Sequence, residues 1–387
     1  MKQVPSIATQ LSLLLLWMGQ ATAQTPGDAA VRGRALLDRG EYAAAVEAYT
    51  SAIQRDATRS DAFYGRGMAS GLMKDYDAAI RDFSVAVQLN PTMAGAYRNR
   101  GLALYEKGAG PDAIPDLSKA IELEPRNPVG YVNRSLVRLG LRDFDGAIDD
   151  ASEALVLDEN CVAAYRNRSG AYVGVRKFDL AMRDASHAIR LKPDDAGGYA
   201  SRSQAAFWAR DFESAILDAN RVLQINPELA DGYKLRGAAH QELGQFAEAE
   251  RDWSKAVELA PADIESRCSL AALHYVRGNL DSAVEECQKA IELDPASLRA
   301  LFTLGSVHFV RGEFSEAVSK YSEVIRLGEK SDDPMVASAY YARGKAYQQK
   351  ADADIGAAIK RGLGPNGQWP RNGESEQAEP SDAAESR

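Results

Sequence analysis

Cysteine is scarce in this chain: Cys161, Cys268 and Cys287 are the only three in 387 residues. That excludes a disulfide-built scaffold and any cysteine-rich metal site. Four histidines leave little material for imidazole-based metal binding or acid–base work. Positive charge is in deficit, with 46 basic against 55 acidic side chains and a formal net charge of -9. Coating nucleic acid needs a clustered positive excess, so nucleic acid is excluded as a partner. Long apolar runs are missing too. The run from Leu11 to Met18 is too short to cross roughly 30 Å of hydrocarbon at about 1.5 Å per residue, and no later stretch approaches a spanning length. No glycine-rich phosphate loop, HExxH-type helix or nucleophile elbow occurs, so neither enzymatic activity nor a cofactor is expected.

What is present begins with an address. Lys2 is the only charge before Asp28, the apolar run follows it, and Ala21-Thr22-Ala23 precedes Gln24. A basic start, a short apolar middle and an Ala-x-Ala site read as a secretory signal peptide over residues 1–23, removed after Ala23. No cysteine follows that site, so a lipoprotein anchor is excluded. A periplasmic or secreted location is therefore expected. At the other end, residues 364–387 hold Trp369 as the only large apolar side chain among Pro, Gly, Asn, Ser, Glu and Ala. Such a segment cannot bury enough surface to offset its ordering entropy, and it reads as a disordered acidic tail.

Residues 24–363 repeat themselves. Pro91, Pro125, Pro193, Pro227, Pro261 and Pro295 share a 34-residue register, with Glu159 in the one empty slot. Nine repeats start near Pro26, Ser60, Ala94, Pro128, Val162, Ala196, Ala230, Ile264 and Leu298, and a tenth near Ala337 after an insertion around Asp332-Asp333-Pro334. The twentieth position is Ala in all nine, and the eighth is always small: Gly33, Gly67, Gly101, Ser135, Ser169, Ser203, Gly237, Ala271, Gly305 and Gly344. Two antiparallel helices need small side chains where their axes come nearest, and larger residues at the fourth position fill the space beside them. Proline ends the second helix of each pair.

This pattern resembles the tetratricopeptide repeat family. The resemblance implies an all-α fold, a right-handed superhelical solenoid of about ten helix-turn-helix repeats. It also implies a non-enzymatic scaffold that binds peptide or protein partners in a concave groove lined by the first helices. In the tenth repeat, Ile355, Ile359 and Leu363 suggest a final amphipathic capping helix, because a terminal repeat otherwise exposes its stacking face. Pro115, inside a second helix, should kink it locally.

One ladder departs from the family pattern. The seventh position is Arg32, Arg66, Arg100, Arg134, Arg168, Arg202 and Arg236, then Leu270 and Leu304, then Arg343. Position twenty-three is Asp82, Asp116, Asp150, Asp184, Asp218 and Asp252 in repeats two to seven, then Glu286 and Lys320. The two residue types appear and vanish together. Paired charges tying first helix to second account for this; a cationic ladder receiving acidic ligands is the alternative.

Other signals reduce to structure. His240, His274 and His308 recur at position eleven, but neighbouring first helices stand roughly 8–10 Å apart, too far for one ion to bridge. Asn133-Arg134-Ser135 and Asn167-Arg168-Ser169 match the glycosylation sequon inside helices, where modification is not expected. Cys268 and Cys287 lie on the two helices of one repeat, in positions that rarely meet disulfide geometry. The candidate partner groove is Tyr64, Arg98, Asn99, Asn133, Arg166, Asn167 and Lys234, from the fifth and sixth positions. The Asn side chains there either grip a peptide backbone or brace adjacent helices. The second functional reading is self-assembly into a homo-oligomer, one copy receiving a terminus of another.

Overall fold

A computed structural model describes residues 29–331 and 333–360. The signal-peptide and tail readings, Asp332 of the insertion and Leu363 of the expected cap lie outside those residues.

Nineteen helices and no strand make up the described chain. Odd-numbered helices are the first of each repeat and even-numbered ones the second. They are α1 (Ala29–Asp38), α2 (Tyr42–Arg55), α3 (Ser60–Leu72), α4 (Tyr76–Leu89), α5 (Ala94–Glu106), α6 (Gly110–Leu123), α7 (Pro128–Gly140), α8 (Phe144–Leu157), α9 (Val162–Gly174) and α10 (Phe178–Leu191). They continue with α11 (Ala196–Trp208), α12 (Phe212–Ile225), α13 (Ala230–Glu242), α14 (Phe246–Leu259), α15 (Ile264–Val276), α16 (Leu280–Leu293), α17 (Leu298–Val310), α18 (Phe314–Gly328) and α19 (Pro334–Lys360). Packing divides the chain between Ala260 and Pro261 into two compact units. Within each unit, every helix packs on its sequence neighbours and first helices also touch the first helices of adjacent repeats, the pattern of a helical solenoid.

Local chemistry sets the boundaries. Asp75, Asp143 and Asp211 each accept a hydrogen bond from the backbone N–H three residues on, starting α4, α8 and α12. The turn between the helices of a repeat needs one residue in the left-handed region. Gly40, Gly108, Gly244, Gly278 and Gly312 supply it with φ of 70–90°, but Lys74, Arg142, Arg176 and Arg210 stand there too, at φ 61–65°. Helix α6 continues through Pro115 without a break. Its missing N–H leaves the carbonyl of Pro111, which is exposed to water.

Within a repeat, the eighth and twenty-fourth positions trade volume. A Cβ added to Gly67 would stand 2.8 Å from the Phe83 ring; at Gly101, 2.9 Å from Leu117; at Gly305, 2.8 Å from Tyr321. Where the eighth residue is Ser135, Ser169 or Ser203, the opposite residue shrinks to Ala151, Ala185 or Ala219. Each of those serines then donates its hydroxyl to the carbonyl of the twentieth residue, Ala147, Ala181 or Ala215, at 2.8–2.9 Å. All three are fully buried, so the hydroxyl is satisfied where water cannot reach.

The end of the array departs from expectation. No separate capping helix forms among the described residues: α19 runs straight for 27 residues, with Ile355 and Ile359 exposed. No glycine, proline, asparagine or aspartate stands between Gly344 and Ala351 to make a turn, and the segment from Ala351 on is rich in alanine, the strongest helix former.

Candidate functional site

Six rungs run through residues 60–259. In each, the seventh-position Arg of the first helix meets both carboxylate oxygens of the twenty-third-position Asp in a bidentate fork. Nε and Nη2 stand 2.8 and 2.7 Å from the oxygens for Arg66–Asp82, and 2.6 and 2.7 Å for Arg100–Asp116. The same fork joins Arg134–Asp150, Arg168–Asp184, Arg202–Asp218 and Arg236–Asp252, at 2.7–3.0 Å. The third nitrogen, Nη1, reaches back to the second helix of the preceding repeat. It donates to Thr50, Ser84, Ser118, Ser152 and Ser186 hydroxyls at 2.9–3.2 Å, and to Asn220 Oδ1 at 2.6 Å. Each rung thus pins three helices from two repeats.

The aspartates are buried, and the arginine side chains are 17–33% exposed. Hydrogen bonding to the aspartate raises Arg66, Arg100, Arg168, Arg202 and Arg236 above the ordinary range, ahead of the opposing effect of burial. Aromatic rings at the fourth position cover the guanidiniums of Arg66, Arg100, Arg168, Arg202 and Arg236 at 5.6–5.9 Å. With its donors committed, this ladder has little left for a ligand. Arg32 is different: it is exposed, and Ala48 stands where its aspartate would be.

After Pro261 the rung is rewritten. Leu270 and Leu304 fill the seventh position at 5% exposure, and Leu304 packs with Ala271 and Cys287. Arg267, at the fourth position in place of an aromatic, donates to Glu286 at 2.7 Å. The pair has moved by one helical turn, with Glu supplying the extra reach.

The candidate groove residues are placed as follows. Tyr64 is half-buried, packs on the Phe83 ring and accepts a hydrogen bond from Asn99 Nδ2 at 3.1 Å; burial raises its phenol above the ordinary range. Asn99 and Asn133 are fully buried, so neither side chain reaches solvent where it could grip a passing peptide. Adjacent first helices close over the sixth position and leave it beneath the surface. Asn133 makes no side-chain hydrogen bond at either end of its amide. Asn167 Nδ2 donates to the Val132 carbonyl at 3.0 Å, bracing α9 against α7. The fifth position carries charge. Arg98 lies 3.8 Å from Glu124, Arg166 3.6 Å from Asp195, and Lys234 3.8 Å from Asp231, all beyond hydrogen-bond range for those atom pairs. Burial, partly offset by Asp195, pulls the Arg166 guanidinium below its ordinary range.

His240 and His308 serve as turn braces. His240 Nδ1 lies 2.5 Å from Gln245 Oε1, and His308 Nδ1 2.5 Å from Glu313 Oε2. No cluster of residues able to hold a metal ion occurs among the described residues. None of the described helices is long and apolar enough to cross a membrane. All three cysteines are free thiols, and burial pushes Cys287 up to about 12.

The tetratricopeptide repeat family model matches residues 31–94, 73–128, 235–297 and 302–368, more than half the chain. The chain belongs to this family of helix-pair repeat proteins. Its fold is similar to a tetratricopeptide repeat protein from Parabacteroides merdae, with 16% identity, TM-score 0.50, and coverage of 65% of this chain and 98% of that one. Yeast Tom70 is also similar, with 15% identity, TM-score 0.49, and coverage of 84% of this chain and 96% of that one. No curated protein sequence matches it.

Proposed function

We propose that the chain is an exported, non-enzymatic adaptor that binds a protein partner along the first-helix face of residues 60–234. Repeats of this family generally mediate protein–protein interaction. What supports the placement is the contrast between two sets of cations. The ladder arginines are saturated by aspartate, hydroxyl or amide, and ring. Arg98, Arg166 and Lys234 carry the fifth-position charge along this face, with Glu124, Asp195 and Asp231 standing 3.6–3.8 Å from them. A row of cations at this position favours an acidic partner segment. Export is read from residues 1–23, and an N-terminus at Gln24 in protein recovered from an envelope fraction checks it.

Arg98→Gln, Arg166→Gln and Lys234→Gln in one chain should abolish capture of acidic partners from that fraction in a variant whose circular dichroism spectrum shows it still folded. Binding to the unmodified chain should weaken with salt. An unchanged captured set from a folded triple variant would contradict the reading.

A further inference from the structure

Helix α19 ends the described chain as half a repeat. Tyr340, Arg343 and Gly344 take the fourth, seventh and eighth positions of a tenth first helix. Arg343 forms the backward half of a rung: Nη1 donates to Ser322 Oγ on α18 at 3.1 Å, and the Tyr340 ring lies 5.3 Å away. Among the described residues no carboxylate completes it. Gly344 is open as well. A Cβ built there meets nothing within 4 Å, whereas at Gly33, Gly67, Gly101, Gly237 and Gly305 it meets the twenty-fourth side chain within 3.4 Å. Tyr340, Tyr347, Ile355 and Ile359 are 43–56% exposed and share one side of the helix with Gly344.

The missing complement is written further along the same helix. Ala351, Asp354, Ile355, Ala358 and Ile359 follow the spacing of positions 20, 23, 24, 27 and 28 of a second helix. Repeat three reads Ala113, Asp116, Leu117, Ala120 and Ile121 at those places. The volume rule holds too, a bulky Ile355 answering Gly344. The two halves cannot meet within one chain. Positions eight and twenty lie twelve residues apart in a complete repeat (Gly101 to Ala113), but Gly344 and Ala351 lie only seven apart. The residues that would make the turn are missing, and the helix runs straight through.

We propose that two copies of this chain pair through α19, antiparallel about a two-fold axis, each supplying the second helix that the other's tenth repeat lacks. Setting Arg343 against Asp354 of the partner subunit brings, by symmetry, the partner subunit's Arg343 against Asp354. Arg343 in the first half of one helix faces Asp354 of the partner subunit in the second half of the other, a charge pair that the two-fold axis repeats. A turn too short to close is the circumstance in which an element is exchanged between protomers. The pairing uses α19 alone, so its failure would leave the reading of the first-helix face untouched.

Sedimentation velocity on the purified full chain should show a concentration-dependent dimer of twice 41.9 kDa. Arg343→Glu, or Asp354→Arg, should raise the dissociation constant about tenfold or more. The two changes together restore the dimer, since each rung re-forms with its signs reversed. Inserting a five-residue glycine-containing turn between Lys350 and Ala351 should give a monomer of undiminished helicity, its second half folded back onto its first. A monomer at every attainable concentration overturns the proposal and leaves the face to residues 361–387 or to a foreign helix. A dimer indifferent to Arg343→Glu, a double variant that stays monomeric, or an insertion variant that stays dimeric also overturns it.

Discussion

From Ser60 to Leu259 every repeat joins its helices with an arginine, an aspartate and a hydroxyl or amide borrowed from the repeat before. Beyond Pro261 the two complete repeats hold the same junction with Leu270, Leu304 and Cys287, each at 5% exposure or less. The junction can therefore be closed by a saturated ion pair or by plain apolar packing, and the two are exchanged as whole sets. A mixed set is what the chain avoids, because a lone buried charge costs more than either solution. The one pair retained after Pro261, Arg267 with Glu286, obeys the same logic at a shifted position. The ladder is thus a device of specificity more than of net stability: forked geometry fixes which helix faces which, while leucine only fills the space.

The comparison can be broken most forcefully at a single rung. Arg168→Leu leaves Asp184 buried without its fork and should lower the unfolding free energy by about 3 kcal/mol in urea titration. Arg134→Leu should cost visibly less, since Arg138 Nη1 already lies 3.0 Å from Asp150 and can take over part of the pairing. Equal losses at the two rungs would show that the second cation does not matter.

Alkaline pH sharpens the contrast, because each region buries weak acids at twenty-fourth positions, Tyr49 in the first and Cys287 and Tyr321 in the second. Burial raises the Tyr49 phenol from 10.0 to about 12 and the Cys287 thiol from 9.0 to about 12. Both folded values exceed the unfolded ones, so each contribution is whole below the unfolded value and is lost as pH rises toward about 12. The Cys287 contribution in residues 261–360 should therefore begin to fall near pH 9, and the Tyr49 contribution in residues 29–260 near pH 10. Circular dichroism titration of Cys287→Ala should lack part of the earlier loss, and Tyr49→Phe part of the later one. Curves superimposable on the parent chain would refute the assignment.

The smallest effect lies in the turns. Arg176 holds φ 61° where Gly278 holds 79°. Arg176→Gly should gain about 0.5 kcal/mol and Gly278→Arg lose about 1 kcal/mol, read from thermal melts.

The helix pairs were legible in the sequence because each signals itself at fixed spacing: small residues where axes meet, a proline or polar stop after each second helix. The co-occurrence of Arg and Asp was visible for the same reason. The backward bond to the preceding repeat was not, because Thr50, Ser84 and Ser118 look like ordinary surface residues of a helix. Burial at the sixth position was not legible either. An amide facing the neighbouring repeat and an amide facing solvent occupy the same register, and only the closeness of adjacent first helices tells Asn99 and Asn133 apart from exposed groove residues. The straight course of α19 turned on a shortened interval between two recognisable half-motifs, which a search for whole repeats passes over.

The central claim, that the rungs are paired structural units and not free cations awaiting a ligand, is tested most directly by a double-mutant cycle on Arg168 and Asp184. Unfolding free energies of the parent, Arg168→Leu, Asp184→Leu and the double variant should give a coupling of about 2 kcal/mol, the double variant recovering much of either single loss as repeats eight and nine do in their own sequence. Losses that simply add, with coupling near zero, would contradict it.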